Sequence, residues 1–244
     1  MITFISSSAT EVGLKRTNNE DAFLDLPRLG LFAVSDGMGG AAAGEIASSI
    51  FIETASEFFL SDNTRMEKDI SALVQDVFST SNQRITNYAS KNSECAGMGS
   101  TADLLAFSGE RFVAGHIGDS RIYISRNGAL RQLTKDHSFV QQQVDSGIIS
   151  PEQARKHARK NVLLRALGTD SVLTFDIMQG RSYPHDLFLL CSDGLTDMVE
   201  DSLIKEVLVS RKNLSDKVSS LMRLANEGGG RDNITVVLCQ VLAS

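Results

Sequence analysis

The sequence is poor in cysteine and in long apolar runs. Its three cysteines are widely spaced and form no CxxC pair, so neither a disulfide framework nor a zinc site is indicated. No apolar run is long enough to cross a bilayer, and no Lys or Arg precedes the short apolar stretch at the N-terminus. We therefore expect a soluble, unexported, cytoplasmic protein that has no membrane partner.

Basic charge and proline are also scarce. Lys and Arg total 24 against 30 for Asp and Glu, and the net charge of −6 gives no electrostatic reason to expect nucleic-acid binding. Only three prolines and no low-complexity tract or solenoid-length repeat interrupt the chain. With 244 residues and 42% apolar content, the chain is expected to form one domain spanning residues 1–244.

The sequence does contain an ordered succession of β-rich and helical patterns. Two long stretches, about Glu45–Leu60 and about Lys68–Ala89, have apolar residues at helical spacing. Weaker helical patterns lie near Leu203–Ser210 and Asp216–Ala225. Arg126-Asn127-Gly128 is typical of a hairpin turn. The predicted strands are Ile2–Ser8, Leu31–Ser35, Thr101–Phe107, Arg111–Ile117, Arg121–Ser125, Leu173–Gln179, Leu187–Cys191 and Ile234–Val241. This order favours an α+β layered fold with antiparallel hairpins.

A recurring pattern places an aspartate at the end of an apolar run. Asp36, Asp119 and Asp193 each follow such a run, and Asp232 lies between three glycines and the run at 234–237. A single Asp-Gly pair is most often only a turn. Carboxylates gathered at buried strand ends would repel one another unless a cation neutralised them. Oxygen ligands without His or Cys fit Mg²⁺ or Mn²⁺, and two such ions about 3.5–4 Å apart can support phosphoryl transfer.

A second polar pattern lies near the N-terminus. Arg16 comes four and five residues before Glu20 and Asp21. The planar guanidinium of arginine can bond two phosphate oxygens at once. A polar turn between two strands explains the same segment, and the segment alone favours that interpretation. The proximity of Asp36 in the sequence gives weight to phosphate binding.

Taken in order, the motifs resemble those of the type 2C, or metal-dependent (PPM), serine/threonine protein phosphatase family, especially its compact bacterial members. The ordered set is specific, although no single motif decides. The matching segments are Arg16–Asp21, Val34–Gly40, Gly99–Ala102, Gly118–Arg121, Leu133–Ser138, Arg165–Gly168, Cys191–Leu195 and Gly230–Thr235. The resemblance implies an α-β-β-α sandwich, with two central antiparallel sheets flanked by helices.

The resemblance also implies a set of metal ligands. Asp36 would bridge two ions, Mn²⁺ or Mg²⁺, and Asp193 and Asp232 would complete the first site. The carbonyl oxygen of Gly37 would serve the second site, together with Glu20 acting through water. Asp193 would also contribute to a third, weaker site. Hydrolysis would then proceed by direct attack of a metal-bridging water, without a phosphoenzyme.

Further residues take implied roles around these ions. Asp119 would be the main ligand of the third ion, and Arg16 would bind the substrate phosphate. Asp21 and Asn233 would hold the ligands in place without contacting the ions themselves. Some relatives carry a histidine two residues after the bridging aspartate, where it would protonate the leaving alkoxide. Met38 stands there in this chain, so the resemblance leaves the general acid unidentified.

The implied activity is hydrolysis of phosphoserine and phosphothreonine in proteins, opposing a eukaryotic-like Ser/Thr kinase, by a chain expected to be a monomer. Two other functions remain open. A catalytically silent phosphoprotein-binding regulator would share the fold but would be expected to have lost metal aspartates. A small-molecule phosphoesterase would keep them, and the relative turnover of phosphopeptides and sugar phosphates separates it from a protein phosphatase.

The resemblance places a variable flap at about residues 138–161. The basic side chains there and just beyond are Arg155, Lys156, Arg159, Lys160 and Arg165. They form either a solvated helix face or a surface that steers acidic phosphoproteins, and the sequence favours neither. Steering predicts that replacing Arg159 and Lys160 by alanine raises KM for a phosphoprotein only. His137, just before the flap, is interpreted as a loop or capping residue rather than a catalytic one.

Overall fold

The computed structural model describes residues 2–39, 43–61, 69–169 and 173–242, whose strands form two antiparallel sheets. Sheet A has the strand order β1 (Phe4–Glu11), β11 (Ile234–Val241), β10 (Leu187–Cys191), β7 (Arg121–Arg126) and β8 (Ala129–Gln132). Sheet B has the order β2 (Asp21–Leu26), β3 (Leu31–Met38), β5 (Ala102–Ser108), β6 (Arg111–Ile117) and β9 (Asp176–Arg181), and the short β4 (Gly99–Ser100) pairs with the end of β3.

Helices cover the outer face of each sheet. The long helices α1 (Ala43–Leu60) and α2 (Ile70–Lys91) pack on sheet B. Sheet A is covered by α5 (Asp193–Thr196), α6 (Asp201–Val209) and α7 (Leu214–Glu227). Two short helices, α3 (Phe139–Asp145) and α4 (Pro151–Arg155), lie in the connection from β8 to β9. Among the helices of the described ranges, none combines the length and the apolar character that a membrane crossing requires.

Strand alternation divides the core into three layers. In β3, Leu31 and Ala33 point toward α1 and α2, whereas Phe32 and Val34 point toward sheet A. The buried residues of β10 and β11 alternate in the same way between α6–α7 and the space between the sheets. Because successive side chains in a strand point to opposite faces, both faces of each central strand must be apolar. The α-β-β-α sandwich is therefore confirmed.

An aromatic cluster fills one end of the space between the sheets. We use the term inter-sheet aromatic cluster for Phe4, Phe32, Phe107, Phe112 and Phe188. The ring centroids of Phe4 and Phe107 are 4.4 Å apart, and Phe188 packs edge-on against Phe107 at 5.3 Å and Phe112 at 5.2 Å. All five residues lie at the strand ends opposite to those that carry the predicted aspartates.

Most predicted elements are present, with some shifts. The helix predicted at about Glu45–Leu60 begins slightly earlier, and the start of the second predicted helix, Lys68, lies outside the described residues, as does Gly40. The strand predicted at Leu173–Gln179 is present as β9, which begins and ends later, at Asp176–Arg181. Strand β2 and the two short helices α3 and α4 had no predicted counterpart. The hairpin turn is confirmed, because Asn127 and Gly128 have φ angles of 51° and 76° between the paired strands β7 and β8.

Candidate active site

A pocket of about 220 Å³ opens where strand ends of the two sheets meet. Asp36 is in β3 and Asp119 follows β6, so sheet B supplies two of its carboxylates. Asp193 follows β10 and Asp232 precedes β11, so sheet A supplies two more. The pocket therefore spans the gap between the sheets. The predicted site residues that line it are Arg16, Glu20, Asp36, Gly37, Asp119, Asp193 and Asp232.

The glycines that follow two of these aspartates are required by close backbone packing. A Cβ atom on Gly37 would lie 2.1 Å from the carbonyl oxygen of Gly44, at the start of α1. A Cβ atom on Gly194 would lie 1.9 Å from the carbonyl oxygen of Asn233. Neither Asp-Gly pair is an exposed turn, since Gly37 is within β3 and Gly194 is buried in α5. Each glycine lets another backbone segment of the site approach its aspartate.

Thr101 fixes the main chain of Asp36. The Asp36 amide donates to Oγ1 of Thr101 at 2.9 Å, and the Thr101 amide donates to the Asp36 carbonyl oxygen at 2.8 Å. The Thr101 and Ser120 hydroxyls share a hydrogen bond of 2.7 Å. Thr101 lines the pocket but was not a predicted site residue. The only signal for it in the sequence was its place within the motif Gly99–Ala102.

The carboxylates destabilise one another's charged forms. Burial raises the pKa of Asp36 and Asp193 well above its ordinary value, and the neighbouring carboxylates raise it further. Burial, followed by the charges of Asp136 and Asp197, raises the pKa of Asp119 to about 7. A bound cation would remove this repulsion. Buried carboxylates that repel one another in this way are the electrostatic condition that favours a metal centre.

The donor set fits a hard divalent cation. Oδ1 of Asp193 is buried and accepts no hydrogen bond, which is costly for a carboxylate oxygen unless a cation satisfies it. Within the described ranges, no three Asp, Glu, His or Cys side chains enclose one ion by themselves. Water and main-chain oxygens such as that of Gly37 would have to complete the coordination. Mg²⁺ commonly keeps several waters in this way, so the residues present fit the implied ions.

Arg16 forms an ion pair with one of the predicted ligands. Its Nη2 donates to Oδ2 of Asp232 at 2.7 Å, and half of the arginine side chain (51%) stays exposed. This hydrogen bond is the main reason that the pKa of Arg16 is raised. The guanidinium therefore partly neutralises the carboxylate cluster from the pocket rim.

Asn233 connects the loop that carries Arg16 and Glu20 to the start of β11. Its Nδ2 donates to the carbonyl oxygens of Val12 at 3.0 Å and Asn18 at 2.8 Å. Its Oδ1 accepts from the Glu20 amide at 2.8 Å. Asn233 is buried and does not line the pocket, so it lies where the resemblance implies a supporting residue.

Asp21 lies behind Asp36, to which it is paired in the register of β2 and β3. Its Oδ2 accepts hydrogen bonds from Oγ of Ser192 at 2.7 Å and Oγ1 of Thr235 at 2.6 Å. Burial raises the pKa of Asp21 to about 6, although the two hydroxyl groups lower it. These bonds join sheet B to sheet A directly behind the pocket, and neither hydroxyl residue was predicted.

The basic side chains of the flap are largely engaged within the protein. Nζ of Lys160 forms an ion pair with Asp197, and Nη2 of Arg155 donates to the carbonyl oxygen of Thr196 at 3.1 Å. The guanidinium of Arg159 lies over the ring of Phe139, 5.8 Å from its centre. Two of these contacts hold the flap against α5, the helix that begins at Asp193.

The flap also borders the pocket and a neighbouring cleft. We use the term flap exit for residues 161–164, at the end of the flap. Asn161 and Leu163 of the flap exit line the pocket, and neither was a predicted site residue. A second cleft of about 520 Å³ lies between the flap and α5–α6, and Asn161, Asp119 and Asp193 line both cavities. The end of the flap therefore forms part of the wall of the pocket.

A double-sheet sandwich with clustered carboxylates and an arginine at one end is the arrangement of a metal-dependent phosphohydrolase. The chain belongs to the protein phosphatase 2C family, because the sequence model of that family matches residues 14–238. It is a protein-serine/threonine phosphatase. It is 37% identical to serine/threonine phosphatase stp of Listeria innocua over 95% of this chain and 93% of that protein.

Solved structures agree with this assignment. The serine/threonine phosphatase PstP/Ppp of Mycobacterium tuberculosis matches with a TM-score of 0.92 and 35% identity, over 100% of both chains. A structure of the PstP catalytic domain in complex with two manganese ions matches with a TM-score of 0.91 and 35% identity, again over 100% of both chains. The fold predicted from the motifs is therefore the fold of the relatives.

Proposed function

We propose that the chain hydrolyses phosphoserine and phosphothreonine in proteins by direct attack of water at a centre of two divalent ions, Mn²⁺ or Mg²⁺. The observation that carries this proposal is the convergence of four carboxylates from both sheets in one pocket, where burial and neighbouring carboxylates raise the pKa of Asp36, Asp193 and Asp119. When bound, the ions supply a nucleophilic water of lowered pKa and neutralise charge on the phosphate.

Each predicted ligand has a place in this proposal. Asp36 would contact both ions, which is supported by its repulsion from Asp193, Asp119 and Asp232, and Asp193 and Asp232 would complete the first site. The carbonyl oxygen of Gly37, with Glu20 through water, would serve the second site. The manganese complex of PstP supports two ions in a relative. A third, weaker ion at Asp119 and Asp193 is part of the proposal, supported by the raised pKa of both groups.

Arg16 would orient the substrate phosphate. Its guanidinium is already at the pocket rim, where it holds Asp232. A cation on Asp232 would compete with this ion pair and leave the arginine donors available to phosphate oxygens. No histidine is among the described residues that line the pocket, and Met38 carries no proton to donate. We therefore assign the proton of the leaving alkoxide to water.

The proposal extends to the cellular setting. The relatives described above are bacterial serine/threonine phosphatases, which supports phosphorylated proteins as substrates and a eukaryotic-like Ser/Thr kinase as the antagonist. We propose a cytoplasmic monomer of one catalytic domain, with the flap at about 138–161 as its substrate-facing segment. The net charge of −6 supports the absence of a nucleic-acid partner.

Phosphate release from a phosphothreonine peptide tests the proposal directly. We expect turnover with added Mn²⁺ and none with excess chelator. Full activity in a sample shown by elemental analysis to be free of metal would refute the two-ion centre. Faster turnover of sugar phosphates than of phosphopeptides would favour a small-molecule phosphoesterase instead. Phosphopeptide binding without turnover would favour a silent regulator.

A further inference from the structure

His137 lies where four segments of the protein meet. It follows β8, and the flap begins directly after it. Its main-chain amide donates to the carbonyl oxygen of Gly118 at 2.7 Å, and its carbonyl oxygen accepts from the amide of Leu164, at the flap exit, at 2.7 Å. Both ends of the flap and the residue before Asp119 therefore converge on one histidine.

The imidazole ring adds a second bond to the same turn. The Gly118 amide donates to Nδ1 of His137 at 3.2 Å, so Nδ1 carries a lone pair in this arrangement. The hydrogen of the neutral ring is then on Nε2, which also lies 3.4 Å from Nη1 of Arg165. Nε2 lies 3.3 Å from Oδ2 of Asp176 at the start of β9, and only 8% of the side chain is exposed. Gly118 has a φ angle of 109°, a conformation that favours glycine. His137 holds this conformation by bonding both the amide and the carbonyl oxygen of Gly118.

A buried pair supports the ring from behind. The rings of His137 and His116 pack at 4.7 Å, and Nδ1 of His116 lies 2.8 Å from Oδ1 of Asp103 with both side chains fully buried. Nε2 of His116 donates to the carbonyl oxygen of Lys135 at 3.0 Å. Burial, followed by the charge of His116, lowers the pKa of His137 to about 4, so its ring is neutral at pH 7 and Nδ1 remains an acceptor.

We infer that His137 is a positioning residue that fixes the Gly118–Asp119 turn relative to the flap. Through its side chain and its main chain it closes a ring of hydrogen bonds with Gly118, and through its carbonyl oxygen it holds the flap exit. Movement of the two ends of the flap would then move Asp119. The catalytic consequence rests on the proposed function, because it requires Asp119 to act on an ion or on substrate, but the structural coupling does not.

Hydrogen exchange in metal-free protein tests the coupling without any activity. In His137→Ala, we expect exchange of the Gly118 amide to rise about tenfold, because its acceptor is gone. The Leu164 amide should also exchange faster. Its acceptor is the main-chain oxygen at position 137, which the substitution leaves in place, so it responds only if the ring anchors the main chain.

His157→Ala is the matched control, since Nδ1 of this flap histidine also accepts a main-chain amide, that of Arg159 at 3.0 Å. It should alter exchange at Arg159 and leave Gly118 unchanged. His137→Asn places an amide oxygen near the position of Nδ1 and should restore protection at Gly118. Unchanged exchange at Gly118 and Leu164 in His137→Ala would overturn the inference, as would failure of His137→Asn to restore any protection. Faster exchange throughout β10 and β11 would mean general destabilisation and would overturn it as well.

Kinetics then separate the coupling from the proposed role of Asp119. If Asp119 acts in the reaction, His137→Ala should lower kcat for p-nitrophenyl phosphate about tenfold, because small displacements of a catalytic group are costly. His157→Ala should leave this kcat unchanged. Altered exchange with an unchanged kcat would support the coupling and contradict the proposed role of Asp119.

Discussion

At the scale of single residues, the function depends on how tightly each carboxylate is held. The main chain of Asp36 is held by two hydrogen bonds to Thr101, one to its hydroxyl group and one from its amide, and the following residue, Gly37, has no room for a side chain. The main-chain position of Asp36 is therefore set by one side-chain and one main-chain group of Thr101.

Replacing Asp36 by asparagine should lower kcat by at least about 100-fold. The change removes the charge that would contact both ions, and stabilisation of phosphoryl transfer by metal ions is worth several kcal/mol. Calorimetry with Mn²⁺ should show weaker binding alongside the kinetic loss. Asp25→Asn is the control, because Asp25 is on the neighbouring strand β2 but outside the pocket lining. Near wild-type turnover by Asp36→Asn would show that the ligand assignment is wrong.

Replacing Asn233 by alanine should lower the free energy of unfolding by at least about 2 kcal/mol. The change removes three hydrogen bonds and leaves the Glu20 amide and two carbonyl oxygens without their partner. Thermal melting measures the loss. Since the loop carries Arg16, KM for a phosphopeptide should rise as well. Asn226→Ala is a control on a neighbouring segment, because the Asn226 side chain donates to Glu11 rather than to this loop. Unchanged stability and KM would remove Asn233 from its supporting role.

At the scale of elements, the flap combines an internal role with an expected substrate role. Lys160 and Arg155 hold the flap against α5, so replacing Lys160 would disturb the flap itself as well as its charge. The pair predicted from sequence, Arg159 and Lys160, therefore mixes two effects. Lys156 and Arg159 are the better pair for testing steering.

The double change Lys156→Ala with Arg159→Ala should raise KM for an acidic phosphoprotein several-fold at low salt. Positive charge acts mainly on encounter and binding, and the effect should shrink at high ionic strength. kcat/KM for p-nitrophenyl phosphate should stay unchanged. Arg111→Ala with Arg181→Ala removes the same charge from exposed positions at the opposite strand ends. Equal losses on both substrates would assign the flap charges to the catalytic centre. No loss on either substrate would mean that these basic side chains form only a solvated helix face.

Elements with strong apolar patterns could be predicted from sequence, whereas edge elements could not. Strands β3, β10 and β11 are buried on both faces and appear as continuous apolar runs. Strand β2 is at the edge of sheet B, begins with Asp21 and is only half-buried along its length, so it lacks a continuous buried run. The segment Arg16–Asp21 that leads into it resembled a polar turn. The flap helices α3 and α4 are too short to show a helical period.

The same distinction applies to the site. The four aspartates at ends of apolar runs were visible because a strand end has a recognisable pattern. The supporting hydroxyl groups of Thr101, Ser192 and Thr235 were not, because their role depends on the pairing of distant strands. Likewise, nothing local to Lys160 indicates its partner Asp197. The charged residues could therefore be predicted from the sequence, whereas the groups that hold them became visible only in the fold.

At the scale of the whole molecule, divalent ions should stabilise the protein more at pH 8 than at pH 5. The pKa of Asp36, Asp193 and Asp119 is raised above the ordinary 3.8, to about 7 for Asp119, so the folded metal-free protein binds more protons than the unfolded chain. The stability that these groups contribute is present below pH 4 and is lost as the pH rises through the raised pKa of each group, which is about 7 for Asp119. Cations replace the protons at high pH.

Melting temperatures with Mn²⁺ and with chelator, measured from pH 5 to pH 8, provide the test. We expect the difference between the two curves to widen as the pH rises. Asp36→Asn should reduce the widening, because it removes one of the repelling charges. A constant or narrowing difference would contradict the proposed cluster of uncompensated carboxylates.

The inter-sheet aromatic cluster lies at the strand ends opposite to the carboxylates, so the effect of divalent ions on stability should differ along the strands. Ring packing holds the sheets together at one end without any ligand, while the carboxylates at the other end push them apart until cations arrive. Local opening of the metal-free protein should therefore start at the carboxylate end. In chelator, amides of β10 and β11 near Cys191 and Ile234 should exchange faster than those near Leu187 and Val241, and Mn²⁺ should remove this gradient. In a cell short of divalent cations, proteases would reach the catalytic end while the aromatic end was still folded, and the abundance of the enzyme would follow its metal supply.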